Sequence, residues 1–370
     1  MSTRLEFVLL ARLRDANISS LCGRFGISRK TAYKWLERYR SAGEDGLQDQ
    51  SRRPHASPAT VPADLESQVL DLNTLYPCWG GRKLRALLPL SMSPPHHSTI
   101  DAILRRHGRQ VEGAPSRQDD APLRFEHPAP NLLWQMDFKG HFALTDLAAG
   151  RCHPLTILDD HSRFNLCLTA CGNELRQTVQ EAMTTTFARY GLPERITADN
   201  GSPWGMTGSV GLTQLEVWLV RLGIKISHSR PYHPQTQGKD ERFHRTLKLE
   251  LLERQGFHSL AACQIAFDTW RDRYNLVRPH QALGQKPPVS RYRASGRSMP
   301  AALPAIEYPS SDIVRTVGDK GDISYKTQRY FVGQGLKKQL VALRPSATDG
   351  VLDVYFCHQK IQQIDLRAVP

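Results

Sequence analysis

The central part of the chain alternates strand-like and helix-like segments, and this alternation constrains the fold more than any other feature of the sequence. Alternating apolar residues predict a strand through Trp134, Met136 and Phe138. The further predicted strands are 153–159, 165–170, 195–199 and 224–229, and the predicted helices are 174–190, 212–222 and a helix that contains Glu241. Three strands, a helix and then alternating strands and helices indicate a mixed α/β sheet.

Three acidic residues in this region have distinctive surroundings. Asp137 lies within the first strand, Asp199 ends an apolar run just before the turn signal Asn200-Gly201, and Glu241 falls in the first turn of a basic helix. If the strands of Asp137 and Asp199 are neighbours, one carboxylate can bridge two Mg²⁺ ions while Asp199 and Glu241 each hold one. Two such ions activate a water or a 3′-hydroxyl and stabilise the leaving oxygen of a phosphodiester, so the acids suggest metal-assisted cutting and joining of DNA.

Other acids nearby are expected to have structural roles. Asp159 and Asp160, at a strand end, are expected to cap the following turn or to pair with Arg163. Asp240 is expected to face solvent, about 100° around the helix from Glu241. Any single acid is more often structural than catalytic, so the assignment depends on the combination of the three contexts.

The charge of the chain indicates a polyanionic partner. The net charge is +13, residues 1–60 carry eleven Lys and Arg against six Asp and Glu, and residues 271–297 carry seven against one. Arg245 and Lys248 lie four and seven residues after Glu241 on the same helical face, where they could grip phosphates beside the metal ions. Nucleic acid is the expected partner, and a merely solvated charged surface is the alternative.

The first fifty residues predict three short helices, at about 5–14, 18–25 and 28–39, in a helix-turn-helix arrangement. Gly26 falls where the tight turn is needed, and Ser28 is a good N-cap for the third helix. A basic arm follows that could lie along a groove, and a purely structural three-helix bundle is the alternative. The residues predicted to contact DNA here are Ser28, Arg29, Lys30, Thr31, Tyr33 and Lys34 in the third helix and Arg52 and Arg53 in the arm.

The rest of the chain divides into further segments. Helices at about 63–75, 82–88 and 98–107 predict a second small helical unit, either another DNA-binding module or a packing spacer. Short alternating segments near the carboxyl terminus predict a small β-barrel. The predicted domains are a helix-turn-helix domain at 1–56, a second helical domain at 57–112, a linker at 113–130, an α/β core at 131–295 and the β-barrel at 310–370.

Cysteine usage and hydropathy indicate a compartment. The seven cysteines are scattered, without CxxC pairs or zinc-type spacing, which favours a reducing cytosol. No signal peptide precedes Ser2 and no apolar run approaches membrane length, so we expect an intracellular protein. Gly333 and Gly335 lack the third glycine of a dinucleotide loop, and no nucleotide cofactor is expected.

Four sequence signatures carry a resemblance to a known family. They are Trp134-Gln135-Met136-Asp137, Thr197-Ala198-Asp199-Asn200-Gly201, His233-Pro234-Gln235-Thr236-Gln237-Gly238-Lys239-x-Glu241-Arg242 and Tyr274-Asn275-x-x-Arg278-Pro279-His280. Through them, residues 134–280 resemble the integrase core of insertion-sequence transposases, bacterial relatives of retroviral integrases that carry an Asp-Asp-Glu triad on a ribonuclease-H-like fold. The third signature is highly specific. The helix that begins after Ser28 and the terminal β module also resemble those transposases, so the likeness covers nearly the whole chain.

This resemblance implies that Asp137, Asp199 and Glu241 are the catalytic triad and the metal ligands, with two Mg²⁺ ions for which Mn²⁺ substitutes. It implies a DNA transposase that binds the terminal inverted repeats of its own element, nicks the ends to free 3′-hydroxyls and joins them to target DNA as a homodimer or larger assembly. The implied location is the bacterial cytoplasm, in association with the nucleoid. The further DNA contacts that we expect in the core are Lys239, Arg242, Arg245, Lys248, Arg278 and His280.

Two features depart from the family pattern. The gap between Asp199 and Glu241 is longer than is common, with extra residues around 205–211, and no zinc module of the retroviral kind precedes the core. Two other classes stay open: a catalytically silent DNA-binding regulator derived from a transposase, and a ribonuclease-H-like nuclease that cuts without joining. Three intact acids disfavour the first, and the DNA-binding modules disfavour the second.

Overall fold

The structure, a computed structural model, describes residues 2–49, 61–109, 126–199, 201, 204, 211–228 and 238–367. Arg52, Arg53 and most of the predicted linker lie outside the described residues. The chain forms two compact units, Met1–Pro62 and Ala63–Pro370. In the part of the chain that is described, no helix is both long and apolar enough to cross a lipid bilayer.

Three helices build the amino-terminal unit: α1 (Thr3–Ala11), α2 (Ile18–Phe25) and α3 (Arg29–Ala42). Each begins after a polar N-cap whose side chain accepts a backbone N–H, and these caps are Ser2, Asn17 and Ser28. Gly26 ends α2 in the left-handed conformation, with a φ of 64°, which confirms the predicted tight turn. Phe7, Leu21 and Ala32 lie in the core that the helices enclose.

The second unit begins with three helices, α4 (Ala63–Leu75), α5 (Gly81–Leu87) and α6 (His97–Arg106). They contact one another pairwise, and α5 packs most extensively on α6. Val69, Leu84 and Ile100 are fully buried. The small helical unit that the sequence predicts is therefore present.

A mixed sheet of six strands forms the centre of the second unit. Its strands are β1 (Trp134–Phe138), β2 (Phe142–Ala143), β3 (Arg151–Asp159), β4 (Asn165–Cys171), β5 (Arg195–Ala198) and β6 (Lys225–His228). The order is β2-β3-β1-β5-β6, with β4 also paired to β3. The first strands are antiparallel, whereas β1, β5 and β6 run parallel, so the predicted mixed α/β sheet is confirmed.

Helices cover both faces of this sheet: α7 (Arg176–Tyr190), α8 (Gln214–Arg221), α9 (Gly238–Leu247) and α10 (Leu260–Asp272). Phe187 of α7 and residues of α8 pack with Ile157 on one face. Phe243 of α9 and Phe267 of α10 pack with Leu158 on the other. Because Ile157 and Leu158 are successive residues of β3, they point to opposite faces, and each face buries its own core.

The carboxyl-terminal part contains one short 3-10 helix, Gln334–Leu336, and the strands β7 (Ile313–Thr316), β8 (Asp322–Tyr325), β9 (Gln328–Phe331), β10 (Leu340–Pro345), β11 (Val351–Phe356) and β12 (Gln359–Asp365). They form a four-stranded sheet in the order β12-β11-β10-β7 and a hairpin of β8 and β9. Within the described residues, no pairing joins the edge strands β12 and β7. The structure thus has carboxyl-terminal β sheets, and their closure into a barrel stays a prediction.

Candidate active site

The strands that carry Asp137 and Asp199 are neighbours in the sheet. β1 pairs in parallel with β5, and Gln135 lies opposite Thr197. Asp137 and Asp199 each follow this pair by two residues, and their carboxyl groups are close enough for their charges to interact. The condition on which the sequence-based site depends, that these two strands adjoin, is therefore met.

The carboxyl group of Asp137 has a strongly shifted pKa. Burial, together with the negative charges of Asp199 and Glu174, raises the pKa of Asp137 to about 7. A divalent cation is stabilising between carboxylates that repel each other, because its charge offsets the repulsion. Carboxylate oxygens are also the donors that Mg²⁺ prefers. By charge and by donor chemistry, Asp137 and Asp199 fit a divalent ion.

The buried face of α9 contains an acid that the sequence analysis assigned to solvent. Asp240 is only 4% exposed, and its face of the helix contacts β1. The prediction that Asp240 faces solvent is wrong. The reason is helical spacing: Asp240 precedes the buried residues Phe243, His244 and Leu247 by three, four and seven residues, so it begins the buried stripe of α9.

Glu241 lies about 100° around α9 from Asp240, on the exposed side of the helix. Arg242, Arg245 and Lys248 are exposed as well. Among the residues that the structure describes, no group of three or more His, Cys, Asp or Glu side chains has the arrangement of a metal site. Asp137 and Asp199 are close enough for their charges to interact, whereas the side chain of Glu241 is exposed to solvent. The segment that leads into α9, residues 229–237, lies outside the described residues.

Asp240 is a buried carboxyl whose hydrogen bonding is incomplete. Its Oδ1 atom has no hydrogen-bond partner among the described residues. Burial, followed by the negative charges of Asp137 and Asp160, raises the pKa of Asp240 well above its ordinary value. The interior of the protein therefore favours the protonated form of this carboxyl.

His244 places a neutral imidazole beside Asp137. Its Nδ1 lies 3.8 Å from Oδ2 of Asp137, and its Nε2 lies 2.8 Å from Oγ1 of Thr156. The Thr156 hydroxyl donates to the carbonyl oxygen of Asp137 at 2.9 Å, so Nε2 of His244 is the donor to Oγ1. Burial lowers the pKa of His244 to about 3. The sequence analysis missed His244, although its place next to Phe243 on the buried face was an available signal.

Asp159 caps the turn after β3, as the sequence predicts. It accepts the backbone N–H of Ser162 at 2.7 Å and the Ser162 hydroxyl at 2.5 Å. The alternative prediction, a pair with Arg163, is wrong. Arg163 pairs with Glu126 at 2.8 Å, a residue that lies far away in sequence and within the predicted linker.

Asp160 connects the sheet to the beginning of α9. Its buried carboxylate accepts hydrogen bonds from Nζ of Lys239, from Nε2 of Gln135 and from the backbone N–H of His127. Lys239, which the sequence assigns to DNA, thus has a partner within the protein, and its side chain is 18% exposed. The ion pair holds the first turn of α9 against the end of β3.

A second hydrogen-bonded chain ends at Asp199, and the sequence analysis missed both of its members. His228 contacts the carbonyl oxygen of Asp199 and the carboxylate of Glu216. The hydrogen bond with Glu216 raises the pKa of His228. Glu216 also forms a capping box with Thr213 at the start of α8. The spacing of Thr213 and Glu216 was the signal available in the sequence.

The predicted DNA contacts fall into exposed and buried groups. Ser28 and Thr31 hydrogen-bond to each other at the start of α3, and Arg29 donates to Ser19 at 2.6 Å. The exposed side chains of α3 include Arg29, Lys30, Tyr33 and Lys34. These lie on the side of the helix that a DNA groove could accept.

Arg278 and His280 belong to the buried group. Arg278 donates to Glu250 at 2.8 Å, and the indole of Trp79 donates to the same carboxylate at 3.1 Å. Burial, with the positive charge of Arg278, lowers the pKa of His280 to about 3. The two residues therefore support packing within the second unit, and a contact with DNA stays a prediction.

Family models match nearly every part of this architecture. Two models of an integrase core domain match residues 127–234 and 222–288, and models of helix-turn-helix and homeodomain-like domains match residues 3–55 and 31–104. The carboxyl-terminal domain of IS481-family transposases matches residues 312–369. The chain belongs to the integrase family of insertion-sequence transposases. The transposase thus combines an integrase core with a helix-turn-helix region, and its superfamily implies DNA binding and metal-dependent polynucleotidyl transfer.

The transposase is similar to proteins of other insertion elements. It is 24% identical over 282 residues to the 39.2 kDa protein of insertion element IS476 from Xanthomonas euvesicatoria. The aligned region covers 75% of this chain and 78% of that protein. It is 25% identical over 231 residues to the 31.7 kDa protein of insertion element IS407 from Burkholderia multivorans, which covers 61% and 80%. A simian T-cell lymphotropic virus intasome in complex with PP2A regulatory subunit B56 gamma aligns with a TM-score of 0.39 and 16% identity, over 80% of this chain and 99% of that chain.

The contribution of Asp137 to the stability of the metal-free transposase is expected to fall as pH rises from about 4 to about 7, whereas His244 and His280, whose pKa values burial lowers to about 3, contribute in the opposite direction. The unfolded chain loses the Asp137 proton near 3.8, whereas the folded protein keeps it until about 7, so the unfolded state binds fewer protons between these values. The full contribution of Asp137 is about 4 kcal/mol at most. Asp137→Asn should remove this part of the slope, as measured by denaturant unfolding in EDTA at a series of pH values. Asp240 changes stability in the same direction in the wild type and in Asp137→Asn. Equal slopes of unfolding free energy against pH in these two proteins would contradict the raised pKa of Asp137.

Proposed function

We propose that this transposase binds the terminal inverted repeats of its element, nicks the element ends to free 3′-hydroxyls and transfers those ends to target DNA. The observation that carries the proposal is the pair of Asp137 and Asp199 on adjacent parallel strands of an integrase core. Burial and the charge of Asp199 raise the pKa of Asp137 to about 7. Strongly shifted pKa values of this kind are concentrated at functional sites, and a bound cation would offset the repulsion between the two carboxylates.

Asp137, Asp199 and Glu241 would hold two Mg²⁺ ions, for which Mn²⁺ would substitute. When bound, these ions activate the attacking oxygen and stabilise the leaving oxygen of the phosphodiester. Because Glu241 lies about 100° around α9 from Asp240, we propose that the first turn of α9 rotates and exchanges Asp240 for Glu241 when DNA and metal bind, while the long side chain of Lys239 keeps its ion pair with Asp160. The unsatisfied Oδ1 of Asp240 supports this exchange, since an incompletely bonded buried carboxyl disfavours the present orientation.

Exposed basic side chains on two elements would bind the DNA. The amino-terminal half of α3 would enter the major groove at the inverted repeats. The exposed face of α9 would bind phosphates next to the reacting bond, because Glu241 shares that face. The residues concerned are Arg29, Lys30, Tyr33 and Lys34 in α3, and Arg242, Arg245 and Lys248 in and after α9.

Transposition joins two ends of one element, so the working form would be a homodimer or a larger assembly on DNA. It would act in the bacterial cytoplasm, at the nucleoid. The chain would divide into a helix-turn-helix domain at 1–56, a second DNA-binding helical domain at 57–112, a linker at 113–130, a catalytic core at 131–295 and a small β-barrel at 310–370.

A strand-transfer assay tests the proposal. The substrate is a labelled duplex that carries the terminal repeat, identified from the imperfect inverted repeats that flank the gene. Incubation with Mg²⁺ and a target plasmid is expected to yield ends nicked to a 3′-hydroxyl and then joined to the plasmid. EDTA should abolish both products while repeat binding persists, because α3 needs no metal to contact the DNA.

The other outcomes separate the alternatives. Specific binding of the repeat without nicking, in either Mg²⁺ or Mn²⁺, would identify a silent DNA-binding regulator and overturn the proposal. Nicking without joining would identify a nuclease. No second function is proposed, because no contact among the described residues favours one.

A further inference from the structure

Asp199 lies just beyond the last ladder position of its strand. β5 ends at Ala198, which pairs with His228, the last residue of β6. A residue at this point depends on side chains for its orientation, since the sheet no longer fixes its main chain. The structure supplies such a side chain: Nδ1 of His228 lies 3.1 Å from the carbonyl oxygen of Asp199. The imidazole of His228 therefore restrains the main chain of Asp199.

The other ring nitrogen of His228 forms a hydrogen bond with Glu216. Nε2 of His228 lies 2.8 Å from Oε1 of Glu216, a buried carboxylate. A carbonyl and a carboxylate both accept hydrogen bonds, so the two ring nitrogens of His228 act as donors. His228 thus bridges two fixed acceptors, and rotation of the ring would break both hydrogen bonds.

Glu216 has little freedom to move. Its Oε2 accepts the backbone N–H of Thr213 at 2.6 Å, and its own backbone N–H donates to Oγ1 of Thr213 at 3.2 Å, which completes a capping box. α8 also packs on both sides: Trp218 lies in the core of the sheet, and Val217 lies in the core of the carboxyl-terminal strands. A helix clamped between two cores is a rigid support for Glu216.

A short 3-10 helix between β9 and β10, Gln334–Leu336, meets α8 at the capping box. Gly335 lies so close to the backbone of Leu212 and Thr213 that a Cβ on it would be 2.1 Å from the carbonyl oxygen of Leu212. Contacts with the carboxyl-terminal part of the chain therefore fix the start of α8. A continuous series of contacts thus connects the carboxyl-terminal part of the chain, through Glu216 and His228, to Asp199.

We propose that His228 is a positioning residue for the reaction: supported by Glu216, it fixes the main chain of Asp199 so that the Asp199 carboxylate lies beside Asp137. This inference rests on the proposed function, since it takes Asp199 to be a metal ligand. It assigns His228 and Glu216 a role in geometry and no contact with substrate. A small displacement of a ligand is enough to slow an enzyme, because misplacement by about 1 Å can cost about a hundredfold in rate.

Two substitutions of His228 separate its two hydrogen bonds. His228→Asn places an amide N–H where Nδ1 stood, so it can still donate to the carbonyl of Asp199. His228→Gln places its amide near Nε2, so it keeps the contact with Glu216 and loses the one with Asp199. Cleavage by His228→Asn is expected to stay within about tenfold of wild type, and cleavage by His228→Gln to fall about a hundredfold, with unchanged affinity for repeat DNA.

Metal affinity provides a second measurement that does not depend on catalysis. Calorimetric titration of the DNA-free protein with Mn²⁺ should show affinity lowered about tenfold in His228→Gln and nearly unchanged in His228→Asn. His358, on the turn between β11 and β12, is exposed and serves as the matched control, so His358→Asn and His358→Gln should both behave as wild type. Thermal unfolding of each variant separates loss of positioning from loss of folding.

The possible outcomes distinguish failure of this inference from failure of the proposed function. If the cleavage rate falls equally in His228→Asn and His228→Gln, and in proportion to their melting temperatures, His228 has a structural role only and the inference is overturned. Wild-type affinity for Mn²⁺ in His228→Gln would overturn it as well. Failure of the proposed function is distinguishable, because the wild-type protein would then nick no repeat DNA at all. Full activity in His228→Gln with normal nicking by wild type would overturn only the role of His228.

Discussion

Replacing Asp199 by Asn, or Glu241 by Gln, is expected to lower the rate of strand cleavage about a thousandfold, since several kcal/mol of transition-state stabilisation are lost with a metal-binding charge. Each substitution keeps the shape of the side chain and removes only its negative charge. The dissociation constant for repeat DNA should stay nearly unchanged, because the helix-turn-helix contacts are intact. Single-turnover cleavage and gel-shift titration measure the two quantities separately. Cleavage at the wild-type rate by either variant would refute its place in the triad.

Asp240→Asn is the matched control for Glu241→Gln, because the two acids are adjacent in α9 and only Asp240 is buried. Cleavage by Asp240→Asn is expected to stay within about tenfold of wild type. Its stability at neutral pH should be at least that of wild type, because Asn replaces a buried carboxyl whose pKa burial already raises well above the ordinary value. The reverse pattern, an inactive Asp240→Asn beside an active Glu241→Gln, would make Asp240 the third ligand.

The strands that carry Asp137 and lead to Asp199 could be predicted because they depend on short-range patterns. Alternating apolar residues mark the strand of Asp137, and an apolar run that stops before a turn marks the strand of Asp199. Whether the two strands are neighbours stayed a condition, because the rules of chain connection leave several strand orders open. The structure meets that condition, since β1 pairs with β5.

The orientation of α9 could not be predicted in the same way. Asp240 and Glu241 are both acidic and adjacent, so composition does not say which of them faces the sheet. The buried stripe of α9 includes a histidine, His244, whose burial depends on a hydrogen bond to Thr156, 88 residues earlier in the chain. A stripe that is half polar gives a weak periodic signal, and its phase is fixed only by tertiary contacts.

Residues whose roles depend on distant ion pairs were equally hard to assign. Lys239 and Arg278 look like free cations in the sequence, and basic residues near a catalytic helix are reasonable DNA contacts. In the structure Lys239 pairs with Asp160, 79 residues away, and Arg278 pairs with Glu250. No local spacing rule connects such partners, so one sequence alone cannot identify them.

Asp160 is the residue through which α9 is tied to the sheet, and its charge is essential to that tie. Burial by itself raises the pKa of Asp160, but hydrogen bonds from Lys239 and His127 lower it overall, so the group is ionised in the folded protein. Gln135, in the strand of Asp137, donates to the same carboxylate at 2.9 Å. The start of α9 is thereby fixed relative to the aspartate strand.

Asp160→Asn is expected to lower the free energy of unfolding by about 3–5 kcal/mol, because it leaves the largely buried ammonium of Lys239 without its carboxylate. Strand cleavage should fall about a hundredfold as well, since the first turn of α9, which carries Glu241, loses its anchor. Denaturant unfolding and single-turnover cleavage measure the two effects. A loss of less than about 1 kcal/mol, the range of exposed ion pairs, would contradict the buried role of this pair.

The variant Lys239→Met separates the ion pair from a contact with DNA. Alone, it should cost as much stability as Asp160→Asn, because it leaves a buried carboxylate without its cation. Combined with Asp160→Asn it should recover most of the loss, since a buried pair can be replaced by uncharged groups at little cost. If Lys239 serves only as the anchor, affinity for repeat DNA in the double variant equals that of wild type. If it also binds a phosphate, stability returns while DNA affinity stays low and the salt dependence of binding is reduced by about one unit. Stability losses that simply add in the double variant would show that Asp160 and Lys239 are not coupled.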